Sequence, residues 1–461
     1  MQLKIKQKSS VREQIAALSA GLLAVTGALG PANAQDYGTG ADTFGPGTSY
    51  TQLDTAFLVY QETGGRVQAI EPSATLALHG RLGETLSLGL VADAVSGATP
   101  NGAVASNQVQ TFVTPIMISG GHTTVTSASG GSTIISLPGI PSVRQYTVAP
   151  NTLPVDKGFH DHRGAFDFNW SQPLGVLSDV GFGGGYSREQ DYQAITANAH
   201  IVQNFNSDNT TLSLTLDSEF DSSFPYGGVP APLAVMSGAW KKPSSRDKTQ
   251  LGFVVGLTEV ITRRWLLQLD YSFDSQSGYQ NDPYRIVSVV DGTTGDPTSY
   301  LYESRPRHRQ SQSIFLDNKI DFDPFVTDIS FRYFTDDWGI NSKTAEISER
   351  INVGRSFYLE PDFRWYEQSA ANFFNYYLNG SDPVPAYASA DTRLAKFSSL
   401  TYGVKLGFPI TPRTEIDIKG AYYEQLGNGH PADAVGQLRQ QNLFGGARAA
   451  YVFFDYVWDF H

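Results

Sequence analysis

The stretch Tyr451-Val-Phe-Phe-Asp-Tyr-Val-Trp-Asp-Phe460 sets Val452, Phe454, Tyr456, Trp458 and Phe460 on one side of an extended strand, and Tyr451, Phe453, Asp455, Val457 and Asp459 on the other. Successive side chains of a strand point to opposite faces, so one face carries no charge and the other carries two carboxylates. A membrane β-barrel needs this division: its outer side meets lipid and its inner side tolerates charge.

The other end of the chain points to export. Lys4, Lys6, Lys8 and Arg12 precede an apolar run from Ile15 to Leu29, and Ala32-Asn-Ala34 stands ahead of Gln35. We read residues 1–34 as a cleaved secretory signal, because the run is shorter than the ~20 apolar residues of a spanning anchor. Residues 35–50 then form a periplasmic segment and 51–461 a single barrel. Removing the signal takes away four positive charges and Glu13, so the net charge moves from −12 to −15. An acidic chain of this kind does not hold nucleic acid by general charge attraction. With no cysteine, disulfides, CxxC redox chemistry and thiolate metal sites are excluded. Mean hydropathy below zero excludes a helical membrane protein, whereas a barrel, polar at half its strand positions, should score this way.

The same alternation recurs along the chain. Leu212, Leu214 and Leu216 oppose Ser213, Thr215 and Asp217; Trp265, Leu267, Leu269, Tyr271 and Phe273 oppose Gln268, Asp270, Ser272 and Asp274. About sixteen such segments, separated by Gly, Asn, Asp and Pro, predict one antiparallel transmembrane barrel. A soluble β-sandwich is the rival fold, but it would need apolar residues where these charges stand. A Lys or Arg facing lipid at mid-membrane costs about 2–4 kcal/mol, which fixes the register. The predicted lumen therefore carries Asp93, Asp270, Asp317, Lys319, Asp321, Arg332, Glu346, Arg350, Glu360, Asp362, Arg364, Lys405, Asp417 and Lys419. Connections alternate short and long; every long one (97–162, 222–246, 279–308, 369–396, 427–441) follows an odd-numbered strand, which puts both barrel ends in the periplasm and makes the strand number even. Pro72 and Pro361 interrupt the second and thirteenth strands.

Several motifs resemble a known family. They include Asp93-Ala-Val-Ser-Gly-Ala-Thr-Pro-Asn-Gly-Ala103, Gly227-Gly-Val-Pro-Ala-Pro-Leu233, Asp282-Pro-Tyr-Arg-Ile-Val-Ser-Val-Val-Asp291, Tyr300-Leu-Tyr-Glu-Ser-Arg-Pro306 and Arg332-Tyr-Phe-Thr-Asp-Asp-Trp-Gly-Ile340. The chain resembles, over nearly all its mature length, an uncharacterised bacterial outer-membrane β-barrel family, domain of unknown function 3570. Members tend to be encoded near a thioredoxin-like protein, a small lipoprotein and a flavin transferase, so the resemblance implies a link to cell-envelope redox work and supplies no mechanism.

The remaining candidates are local. Lys241, Lys242, Arg246 and Lys248 form the compact basic run of the mature chain, suited to anionic lipopolysaccharide groups or simply to a solvated loop. His160 and His162 share one strand face, and Asp336 and Asp337 stand with Asp282, Asp291 and Asp391 at outer strand ends; these are candidate metal ligands, weighed against a polar rim and ordinary turn chemistry. Trp338 reads as an outer-interface aromatic. The run Gly181-Phe-Gly-Gly-Gly-Tyr186 does not fit GxGxxG, and no GxSxG, P-loop or HExxH is present, so no cofactor and no enzyme activity are expected. Outer-membrane lipid, lipopolysaccharide and the barrel-assembly machinery are the expected partners, with a porin-like homo-oligomer by analogy. Two functions fit: a porin-like channel for small polar or charged solutes selected by the lumen charges, or a non-enzymatic scaffold or binding barrel. A membrane-embedded hydrolase is a minor third. The connection 97–162, the longest, is a candidate plug, or else an outward hairpin for partners.

Overall fold

A computed structural model describes residues 48–97, 100–115, 132–137, 140–156, 158, 160–236, 244–354 and 356–460. The expected signal 1–34 and nearly all of the segment 35–50 lie outside the described residues, as do Lys241 and Lys242. In chain order the strands are β1 (Tyr50–Glu62), β2 (Gln68–His79), β3 (Thr85–Ser96), β4 (Gln110–Pro115), β5 (Ser132–Leu137), β6 (Ile140–Val148), β7 (His160–Pro173), β8 (Ser178–Arg188), β9 (Tyr192–Phe205), β10 (Thr210–Ser223) and β11 (Arg246–Thr262). They continue with β12 (Trp265–Gly278), β13 (Ile286–Val290), β14 (Pro297–Tyr302), β15 (His308–Asp321), β16 (Phe325–Asp336), β17 (Asn341–Val353), β18 (Phe357–Gln368), β19 (Leu378–Asn379), β20 (Phe397–Thr411), β21 (Thr414–Gly427) and β22 (Arg448–Phe460).

Sixteen of these close into one antiparallel barrel: β1, β2, β3, β7 to β12, β15 to β18 and β20 to β22. Closure is made by β1, where Tyr60 stands opposite Ala69 of β2 on one side and Tyr451 of β22 on the other. The register agrees with the alternation. Leu212, Leu214 and Leu216 are exposed on the outside, as are Val452, Phe454 and Trp458 of the last strand, while Tyr451, Asp455, Val457 and Asp459 are buried on the inside. An outer face dominated by Leu, Ile, Val and aromatic side chains on a closed barrel is a lipid-facing surface, and the protein is integral to the outer membrane.

Both interrupting prolines sit within continuous strands. Pro72 pairs with Phe57 of β1, and the ladder to β3 skips from Ile70 to Ser73. Pro361 pairs with Val404 of β20, and the ladder to β17 skips from Leu359 to Asp362. Each ring lacks one donor and so removes bonds on one side only, which a strand tied on its other side survives. The last strand begins at Arg448 instead of near Asn442, because 436–440 forms a short 3₁₀ turn and the segment after it belongs to the outer loops.

The outer loops build two small sheets, in the orders β4-β6-β5 and β14-β13-β19. In its described part the connection between β3 and β7 is a three-stranded sheet instead of a simple hairpin, and it packs on another loop.

Candidate functional site

Facing residues on neighbouring strands place the charges of the inner wall. Lys319 of β15 stands opposite Asp328 of β16, with Nζ 2.9 Å from the carboxylate, and Asp317 lies diagonally beside them. Lys405 reaches Glu360 at 2.8 Å, Arg364 reaches Glu346 at 3.8 Å, and Lys419 passes over β20 to Asp362 at 2.9 Å. Arg163, absent from the predicted set, binds Asp93 at 2.5 Å from the directly opposed position. Arg350 stacks on Tyr358 at 3.5 Å, whose hydroxyl donates to Asp417 at 2.8 Å, and Arg332 lies 5.1 Å over Phe315. Asp270 accepts from Gln268 Nε2 at 2.8 Å, and Asp321 accepts from the amide of Asp323 in the turn below. Each of these ion pairs joins adjacent or next-but-one strands, so compensation runs along the wall.

Above the wall, the loops form a cap. The 97–159 loop springs from between the third and fourth barrel strands, β3 and β7, and the 279–307 loop from between the ninth and tenth, β12 and β15. Six strands of the sixteen separate the two roots, so loops that touch each other must reach across the mouth. They do touch. The Ile286 amide donates to Asn101 O at 2.9 Å, the Val104 amide to Ser288 Oγ at 3.1 Å, and Gln110 Nε2 to the Tyr300 hydroxyl at 2.9 Å. Phe112, Tyr146 and Val148 pack with Ile286 and Tyr302, and full burial of each large side chain stabilises by about 1.5–3 kcal/mol.

Three further loops converge on the same β13–β14 hairpin. Leu233 donates its amide to Tyr302 O at 3.1 Å, Gln437 to Thr294 O at 2.8 Å, and Ala388 and Ser304 exchange amide bonds at 2.9 Å each. Two glycines permit these approaches. A Cβ on Gly102 (φ +100°) would lie 2.1 Å from Ile286 O, and one on Gly436 (φ +50°) 1.9 Å from Thr294 O. No L-residue fits either place.

Within the cap lies a node of three arginines and three carboxylates, of which Arg285, Arg305, Glu303 and Asp391 are buried and Arg393 and Asp282 half-buried. Arg305 contacts Glu303 at 2.7 Å and Asp391 at 2.9 Å; Arg393 contacts Asp391 at 2.6 Å; Arg285 contacts Asp282 at 3.1 Å and donates to the Pro100 carbonyl. Burial pushes the Asp391 carboxyl up, but Arg285, Arg393 and Arg305 outweigh it and hold it well below the usual carboxylate range.

The other sequence candidates separate. Lys248 points inward, almost fully buried, with Nζ 2.7 Å from Asp221, so it pairs on the wall and does not reach the cell surface. Arg246 is exposed at the rim. Trp338 is not an interface aromatic: it is buried against Phe373 and donates Nε1 to His308 O at 2.8 Å, because the 369–396 loop folds over it. Asp336 pairs with Arg309 at 2.6 Å and Asp337 accepts from the Gln310 amide, which uses both as turn and wall partners. His160 and His162 are exposed on the outer face of β7, and Asp161 between them points the other way. There it meets Glu189 and Asp191 of the short β8–β9 turn, with one oxygen of each within 4.8 Å of the others. Burial, with Asp161 beside it, pushes Glu189 up to about 7; burial pushes Asp191 up to about 6 even though the Tyr284 hydroxyl donates to it. Sequence pattern gives no hint that Asp161 would join a turn further along the chain.

The family model described as Protein of unknown function (DUF3570) matches residues 16–458. The chain belongs to this family. No curated protein matches the DUF3570 chain. Among solved structures it is similar to the monoaromatic hydrocarbon channel CymD (8% identity, 92% of this chain and 94% of that chain, TM-score 0.36) and to the outer membrane protein opdK from Pseudomonas aeruginosa (7% identity, 90% and 100%, TM-score 0.38). It is also similar to a mutant of the ferric enterobactin receptor PfeA from Pseudomonas aeruginosa (11% identity, 85% of this chain, TM-score 0.39), of whose length it spans 57%.

Proposed function

We propose that this DUF3570 barrel is a passage for small polar or charged solutes whose outer mouth is closed by the loop cap and opens when the cap moves. The direction of charge pairing carries the reading. The ion pairs described on the barrel strands run along the wall, Lys405 to Glu360 and Lys419 to Asp362 among them, so water and a solute can fill the bore without breaking one. A sixteen-stranded barrel is wide enough for an aqueous channel, and a wall that alternates sign selects by charge. In this reading the barrel does no covalent chemistry.

The second reading is a closed scaffold or binding barrel serving a cell-envelope redox system. Low exposure of the wall favours it: Lys419 is 4% exposed and Asp459 1%. Conductance in a planar bilayer decides between them. A silent wild type that conducts with charge selectivity once 286–302 is replaced by a short Gly-Ser linker supports the gated passage. Silence of both proteins, with folding verified, supports the scaffold.

A further inference from the structure

A cleft of about 1060 Å³ opens on the outer side of the barrel rim. Its floor is the row Glu367, Ser398 and Leu426, directly paired across β18, β20 and β21, and Leu426 points away from the bore. Its roof is the 374–385 segment, with Tyr376, Tyr377 and Val384, and its far side is the 428–435 segment. The walls are held in place before anything binds: the Tyr376 hydroxyl donates to Asn428 O at 2.6 Å and the Tyr377 hydroxyl to Asp433 O at 3.3 Å.

Height decides what the cleft meets. Four residues below the floor, Phe363, Tyr402 and Tyr422 form an outward cross-strand row, with the Phe363 and Tyr402 rings 5.3 Å apart. Such aromatic rows mark the membrane interface, and below this one the outward positions Val404, Leu406 and Ile418 are aliphatic. Four residues of a tilted strand rise roughly 10 Å, which puts the cleft among the headgroups of the outer leaflet.

The lining selects among headgroup parts. Phe374, Tyr376 and Tyr377 offer aromatic surface, Asn375 and Asn428 offer amides, and the charges are Glu367, Asp382 and Asp433 against Lys396 alone. The acidic excess repels phosphate, whereas carboxylates and amides accept and donate to hydroxyls while apolar ring faces stack on aromatics. We propose that this cleft binds sugar units of the outer-leaflet glycolipid, holding one glycolipid molecule against the β18–β20–β21 edge of the cap.

The test compares three probes on the full-length protein refolded in detergent: lipopolysaccharide with a complete sugar core, lipid A stripped of sugars, and the soluble core oligosaccharide. Phe374, an aromatic face of the cleft, is changed to Leu to remove a stacking surface while keeping apolar bulk, and Glu367→Gln removes a floor charge. Binding of complete lipopolysaccharide at least ~10-fold tighter than lipid A, with that preference lost in Phe374→Leu and weakened in Glu367→Gln, is the expected result. Equal affinity for complete lipopolysaccharide and lipid A overturns the proposal, as does a preference that survives the two substitutions combined. Tighter binding of the free oligosaccharide than of the lipid-linked form makes the cleft a site for soluble saccharide and overturns the assignment to the leaflet.

Discussion

Asp391→Ala should unfasten the cap and leave the barrel closed. The carboxylate is 1% exposed and takes Arg305 at 2.9 Å and Arg393 at 2.6 Å, with Arg285 at 3.9 Å. Without it, three guanidiniums, those of Arg285 and Arg305 buried and that of Arg393 half-buried, share Glu303 and Asp282, one positive charge in excess. Removing one partner of a buried charge set costs about 3–5 kcal/mol, since the remaining charge stays desolvated. Applied to the opening equilibrium of the cap, that is roughly 150- to 5,000-fold faster amide exchange. The amides to follow are Ser304 and Ala388, which bond each other across two loops, against Leu214 and Val255, paired within the wall. Exchange that rises in the first pair alone is the expected outcome, with resistance of the barrel to heat in SDS unchanged. Equal acceleration in cap and wall, or none in either, refutes the view that the node fastens a unit separable from the barrel.

Other expectations concern register, acidity and docking. Leu214 lies in an outward row with Ile201 and Val255, so Leu214→Arg should lose about 2–4 kcal/mol in urea unfolding from bilayers, and inward Thr215→Arg far less; equal losses overturn the inside-outside assignment. Glu189 and Asp191 have carboxyls raised from ordinary values of 4.5 and 3.8 to about 7 and about 6, so the β8–β9 turn gains stability at low pH and loses it as pH rises from about 4 to 7. Amide exchange at Gln190 and Tyr192 should speed up across that window beyond its intrinsic pH dependence, and Glu189→Gln should flatten the excess. The Asp391 node has the opposite sign, its stabilisation lasting until strongly acid pH. Gly102→Val places a side chain against Ile286 O and should release 100–156 to protease with the barrel intact.

How much of this was legible follows from how local each signal is. Alternation is a two-residue property, so the faces of β10, β12 and β22 could be read directly, and with them the inward turn of Asp317, Lys405 and Lys419. Loop lengths gave the orientation. The cap was not legible, because its bonds join distant residues such as Val104 and Ser288, and no local pattern links them. Its parts were visible as unexplained motifs: the 93–103, 227–233, 282–291 and 300–306 stretches that carry the family resemblance contain Asn101, Gly102, Leu233, Arg285, Ser288 and Arg305. Lys248 was misplaced for a related reason, since a basic run looks solvated until a partner such as Asp221 is known.

The convergence of four loops on one hairpin constrains how the molecule is made. The chain spanning 286–302 is synthesised before 369–396 and 428–447, yet its apolar residues Val287, Val290 and Leu301 pack against Leu378, Ala388, Ala434 and Leu438 from those later segments. Arg66, near the start, donates to Gly445 and Gly446 near the end, across the β1–β22 seam. Contacts between such distant segments form only after the loop-closure cost between them has been met, and strand pairing around the ring meets it. The cap is thus the last part to mature and is complete only on a sealed barrel, so an antibody against its assembled surface would distinguish finished molecules from those still being inserted.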